Sequence, residues 1–489
     1  MIVDDDKLVD GDGARPSRTS QSMDSVVPLA VVAAIVAALG SACASPSAAP
    51  AFRDTASLVE ARTGRRISWN QGAAADEAGA RRIRELVGHD LSVDGAVEIA
   101  LLNNERLQAI YEDLSIAQAD LVQAGLLQNP SLSGGVTVPV AGPGVQTGFD
   151  VGVVQNVLAL LTMSARKKIA STELEATILR VADDVLRTSF EVQTAYYTLV
   201  AAQQSADVRR TARDAGDAAM ALAEAQHAAG NISDLDLVNQ RSLSERFRTD
   251  VLRREADVLT ARDALTRLLG LWGSDAAFRV PPHLPDPARS DPPIDRLEAL
   301  AVAQRLDLAA AHERTQALVH AVALATDFRF VGSPTVAATF ERSPERYSAI
   351  TPSASLELPI FDQKQAVVAR LEAQVRQARA HENALAVDVR SEVRAAGGRL
   401  VAMRAVVERY ARIVVPLREE AVRLSEEQYD GMVLGPYLLL AAKQSEVDAH
   451  GEFIEALRDY WIARADLERA VGSSLPNGPS APLPAGATP

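Results

Sequence analysis

No proline occurs between Gly144 and Val280, and none between Ala51 and Asn129. Proline lacks a backbone donor and clashes with the preceding helical turn, so tracts without it are where long helices can run. The stretch from Leu161 to Ala228 alone would make roughly 100 Å of helix at about 1.5 Å per residue. An ordinary globular helix has about 11–12 residues, so the chain is expected to be mainly α, in a coiled-coil or tubular form. Leu174, Ile178, Val181, Val185, Thr188, Val192, Ala195, Leu199 and Ala202 alternate three and four apart, as an a/d seam does. Aromatics make up only 4% of the residues, which suits shallow, repeated contacts between slim elements. A hydrophobic content of 47% excludes a disordered chain.

The prolines cluster where the helices stop, and period-two patterns lie among them. Leu132, Val136, Val138 and Val140 alternate with small or polar residues, as do Phe149, Val151 and Val153, with Ala141-Gly142-Pro143-Gly144 as the turn between. About two hundred residues later Val336, Ala338 and Phe340, then Ala354, Leu356 and Leu358, repeat the arrangement. Gly230 and Gly270 are answered by Gly431 and Gly472 at a similar offset. Each unit therefore reads as helix, β-hairpin, very long helix, turn and long helix. The expected divisions are 1–43 as a signal segment, 44–88 as an N-terminal lead, 89–290 and 291–472 as the two repeats, and 473–489 as a disordered tail. Two hairpins give too few strands to close a barrel. An open sheet cannot sit in lipid, where unpaired edge groups find no water. If these strands cross a membrane, several chains must pool them; otherwise they are exposed hairpins on a soluble coiled coil.

The run from Val26 to Leu39 is apolar and uncharged, shorter than the ~20 residues of a membrane helix, and fits the core of a secretion signal. Small residues Gly40, Ser41 and Ala42 precede Cys43, the only cysteine. Its position resembles that of the acylated cysteine of bacterial lipoproteins, although Leu39 stands one residue further back than usual. A single cysteine also excludes an internal disulfide framework and a cysteine-based metal site. The net charge of −14, with no basic patch, argues against nucleic acid as a partner. The seven histidines form no i, i+4 pair and no HExxH arrangement, and the chain has neither a phosphate-binding loop nor a nucleophile elbow. No enzyme activity, cofactor or metal site is expected.

Ala100-Leu101-Leu102-Asn103-Asn104, the run from Ala117 to Pro130, Arg305-Leu306-Asp307-Leu308 and Leu358-Pro359-Ile360-Phe361-Asp362 together resemble the TolC-like outer membrane efflux family over residues 90–472. Each motif alone is weak; their order and duplication are specific. The resemblance implies a homotrimer in the bacterial outer membrane, whose pooled strands close a barrel above a periplasmic helical tube. It also implies a periplasmic adaptor and an inner-membrane pump as partners. The competing reading is a periplasmic coiled-coil structural or adaptor protein.

The same resemblance places the periplasmic tip, where adaptor and gate meet, at the two helix–helix turns, 227–236 and 429–440. Gly230 and Gly431 are expected to supply positive φ there. Asp234 and Asp236 stand open to two readings, an acidic ring in a trimer or helix capping. Some family members carry aspartates in the second turn; this chain has Gly435-Pro436-Tyr437-Leu438-Leu439-Leu440 instead. Tyr437 and the leucines are candidates for an apolar constriction or for bundle packing. Pro416, inside a helical stretch, is expected to kink or interrupt it.

Overall fold

The computed structural model describes residues 47–475, except Ala73, Pro139, 141–146 and 345–346, and leaves aside the side chains of Ala74, Ala75, Asp295 and Pro436. Cys43 and the tail from Pro476 lie outside the described residues. Eleven α-helices carry the architecture of the described residues. In the first half they are α1 (Ala49–Thr63), α2 (Ala74–Val87), α3 (Val93–Asn103), α4 (Glu105–Ala124), α5 (Leu158–Ala228) and α6 (Asp234–Leu269). In the second half they are α7 (Leu297–Gln304), α8 (Leu306–Asp327), α9 (Gln365–Arg409), α10 (Val415–Asp430) and α11 (Pro436–Val471). None is long and apolar enough to cross a membrane. At 71 residues, α5 extends for about 105 Å. The a/d seam accounts for part of its buried face: Val181, Val185, Val192 and Leu199 are buried, and so is a second stripe with Ala182, Leu186, Ser189, Phe190, Tyr196 and Val200. Two stripes are needed because α5 is packed on several sides, by α4, α6, α8 and α11.

The element order corrects the sequence expectation of one helix before each hairpin. A break at Asn104 separates α3 from α4, and a break at Arg305 separates α7 from α8. Asn104 is extended and caps α4, its side-chain oxygen accepting from the N–H groups of Arg106 and Leu107. Its Nδ2 donates to the Leu268 carbonyl at 2.8 Å, while Asn103 Nδ2 donates to the carbonyls of Leu269 and Gly270. The break thus holds the free carbonyls at the end of α6, where Gly270 adopts φ +67° to close the helix. In the second half Arg305 lies against Gly472, the φ +81° cap of α11, and pairs with Asp307 and Glu392. One device therefore occurs twice: a helix break clasps the end of the helix that returns from the tip.

The continuous core sits at this level, and the scarce aromatics gather there. Phe52 lies against Trp69 and Tyr111, and Tyr197 stacks on Trp461 at 5.1 Å, with Tyr196 and Tyr460 beside them. The proline-rich linker between the halves is fastened over it. Trp461 donates to the Pro285 carbonyl, and Asp291 accepts from Tyr460, Arg464 and Arg404 at 2.8–2.9 Å. Glu468 is buried alongside, accepting from the Leu475 N–H and lying 3.9 Å from Arg464. Burial pushes its carboxyl up to about 7, against the pull of Arg464, the Leu475 N–H and Arg65; Asp94 adds to the rise. The folded protein then keeps a proton that the unfolded chain has lost, so stability falls as pH rises from the ordinary carboxyl range toward about 7. Glu468→Gln should match the wild type near pH ~5 and exceed it above pH ~7 in thermal unfolding; parallel profiles would refute the assignment.

The strands form one antiparallel sheet in the order β1-β2-β3-β4, with β1 (Ser131–Thr137), β2 (Gly148–Asn156), β3 (Thr335–Arg342) and β4 (Ser348–Ser355). The β2–β3 pairing joins the two halves, and β1 and β4 are edges. β4 begins and ends earlier than the alternation of Ala354, Leu356 and Leu358 suggested. It contains Pro352 opposite Ala338, and an edge strand tolerates a missing donor. The first strand likewise stops at Thr137, short of Val138 and Val140.

Candidate functional site: a two-faced sheet and a helical tip

The register sorts the sheet into two chemically distinct faces. Leu132 pairs with Val153 and Val136 with Phe149; Val151 pairs with Phe340, and Phe340 with Ile350. These side chains share one face, and all are exposed in the single chain. The opposite face carries Ser133, Gly135, Thr137, Asp150, Gly152, Thr339, Glu341, Thr351 and Ser353. An apolar face and a polar face on strands of 7–9 residues match the dyad pattern of a membrane barrel, where strands are about 9–11 residues. Both edge strands still offer unpaired backbone groups.

At the far end lie the two turns. In the first, α5 ends at Ala228 and Gly230 takes φ +77°. Ser233 caps α6 in a capping box with Asp236, and His227 Nε2 lies 2.6 Å from Asp234 Oδ1. Both aspartates thus have partners within the chain, and Asp236 completes the capping box as its N3 residue. In the second turn the expectation for Gly431 is corrected. Its φ is −76°, and the positive φ of +57° falls on Met432, one residue later. Gly431 ends α10 by donating to the Glu427 carbonyl, so the chain reverses only at the next residue. A methionine in this conformation costs about 1 kcal/mol relative to glycine. Met432→Gly should therefore stabilise the turn by up to that amount, unless the lost side chain contributes packing. Met432 is 94% exposed, so the gain should appear in denaturant midpoints.

Gly435 is the cap residue of α11 and has no side chain to serve it. Tyr437 is partly buried, and its hydroxyl meets no hydrogen-bond partner. Leu438, Met432 and Val433 are exposed beside it, as are Leu235 and Val238 on the other turn. Pro416 stands in the first turn of α10, directly after a π-helical turn over Tyr410–Val414. The interruption therefore precedes the proline, whose missing donor and bulky ring are accommodated by a widened turn.

Sequence reading missed one cluster. Glu446 and His450 are one turn apart on α11, and Glu419 reaches them from α10; their ligand atoms lie within 4.8 Å of one another. The Glu446–His450 spacing was the available signal. Lys443 already pairs with Glu446, and His450 lies 3.6 Å from Glu419, so the trio closes as an ion cluster.

Residues 96–271 match the outer membrane efflux protein family. No curated protein matches the chain. Among solved structures, a membrane protein from Pseudomonas aeruginosa superposes with TM-score 0.65 at 20% identity, covering 84% of this chain and 98% of that one. The CmeC outer membrane channel of Campylobacter jejuni gives 0.69 at 16% identity, covering 79% and 87%. The outer membrane protein VceC of Vibrio cholerae gives 0.66 at 19% identity, covering 78% and 96%. At these identities the likeness is one of fold.

Proposed function

We propose that this chain, which matches the outer membrane efflux protein family over residues 96–271 and superposes on outer membrane channels over about four fifths of its length, is the outer membrane channel component of a tripartite efflux system. The observation that carries the reading is the sheet: one apolar face, one polar face and two open edges, continuous with helices about 100 Å long. Lipid does not tolerate open edges, so β4 of one copy pairs with β1 of the next until the barrel closes. Three copies do this, and their long helices form a tube below the barrel in the periplasm. Exposed apolar seams are available for that contact: Val238, Leu252 and Leu259 at one heptad position of α6, and Val406, Ile413, Leu417 and Leu424 along α9, the π turn and α10. The alternative of an adaptor fits less well, since the strands lie between the helices in each half.

The duct is passive, and a periplasmic adaptor and an inner-membrane pump supply cargo and energy. The turns around Gly230, Asp234 and Asp236, and around Gly431, Gly435 and Tyr437, form the periplasmic tip, which opens as helices move. The π turn before Pro416 gives α10 a place to bend. Cys43 carries a lipid anchor.

The test is single-channel recording of the purified full-length protein in planar bilayers, with its oligomer mass measured in parallel. A conducting trimer is expected. A monomer without conductance would overturn the reading.

A further inference from the structure

The chain has 50 basic side chains, and only five of them are lysine. Lys7 lies outside the described residues, and Lys443 pairs with Glu446 on α11. The other three, Lys167, Lys168 and Lys364, stand just after the two strands that lead into long helices. Among the described residues, none of these three has a carboxylate within ion-pair distance, whereas arginines elsewhere are extensively paired.

Their surroundings are apolar and open. Leu160 and Leu161, at the start of α5, are exposed. Lys167 and Lys168 are exposed on the same face two turns further on, about 10 Å away. In the second half the alternation of β4 continues outward through Leu356, Leu358 and Ile360 to Phe361, which is 92% exposed; Lys364 follows. Lys364 donates to the Phe328 carbonyl at 3.1 Å, and the Arg329 guanidinium lies 4.3 Å from the Phe330 ring. The nearby acids are Asp327 and Asp362, the latter accepting from the Lys364 backbone N–H.

We infer that these residues form a collar that binds anionic phospholipid of the inner leaflet, the apolar residues at acyl depth and the lysines on the phosphates. The inference rests on the outer-membrane channel reading. The apolar face of the sheet runs directly into the collar, and the step of about 10 Å from leucine to lysine matches the passage from acyl boundary to headgroup. Lysine suits the position because its flexible stem crosses apolar surface while its ammonium reaches the phosphate as a point charge.

The test uses full-length protein reconstituted in bilayer discs of phosphatidylcholine mixed with phosphatidylglycerol, with retained lipid counted by mass spectrometry. The variants are Lys167→Gln/Lys168→Gln/Lys364→Gln, the corresponding triple arginine variant, and Arg246→Gln on α6 as a distant control. Wild type should enrich phosphatidylglycerol. The glutamine variant should lose about fivefold per lysine, while the arginine variant and the control retain it. Equal enrichment in the glutamine variant, with wild-type conductance, overturns the collar and leaves the channel intact. A change in ion selectivity without a change in lipid also overturns it, by placing the lysines in the lumen. Wild-type protein that fails to insert in any lipid overturns the channel reading itself.

Discussion

Asp291→Ala is expected to lower the stability of the fold markedly. The carboxylate accepts from Tyr460 Oη and Arg464 Nη1 through one oxygen and from Arg404 Nη1 through the other. Arg464 is only 3% exposed. Cutting the carboxylate away takes one acceptor from the buried Arg464 guanidinium and one from Tyr460, and leaves Arg404 held by Glu408 and two linker carbonyls. Cutting one member out of such a buried charged network costs about 3–5 kcal/mol, a fall of about 3–6 °C in the thermal midpoint of a chain this long. Asp291→Asn keeps an acceptor without the charge and should fall between. Replacing Asp291, Arg404 and Arg464 together by apolar residues should recover much of the loss, because the cost lies in cutting one member out of a buried charged network. If Asp291→Ala unfolds like the wild type, the linker is not fastened through this residue.

That cluster shows where sequence reading stops. Asp291 and Arg464 are 173 positions apart, and nothing in periodicity joins a linker aspartate to a helix arginine. What was legible rests on local rules. Proline-free tracts marked the long helices, period-two alternation located the strands to within a few residues, and the duplication predicted the element order apart from the breaks. The breaks at Asn104 and Arg305 were not legible as breaks, although both lie in motifs that suggested the family resemblance. Their role is a long-range hydrogen bond to the end of another helix, which spacing does not encode. At the tip, glycine was the natural candidate for positive φ, yet the second turn puts Met432 there. A turn's length and hydrogen bonds decide which residue reverses, and glycine content alone does not. Asp236 joins the capping box that Ser233 begins three residues earlier, a local signal that spacing does encode.

The largest functional effect is expected from a charge on one face of the sheet and not on the other. Val151 lies near the middle of β2, on the apolar face, opposite Gly134 and Phe340. Val151→Arg would put a guanidinium into hydrocarbon at a cost of about 2–4 kcal/mol near the bilayer midplane, repeated in every copy around the barrel. Trimer yield in membranes should collapse. Thr339, one register step away opposite Gly152, lies on the polar face. Thr339→Arg should insert and assemble normally, because its charge meets water, and should lower conductance by narrowing and charging the lumen. The two substitutions introduce the same side chain at nearly the same depth, so β-propensity and bulk cancel in the comparison and only the direction of the side chain differs. Comparable assembly of both variants would refute a membrane-facing apolar surface. Loss of the Thr339→Arg trimer with survival of the Val151→Arg trimer would mean that lumen and lipid faces are exchanged. An apolar lumen would then have to be reconciled with a polar outer wall, which a bilayer does not permit.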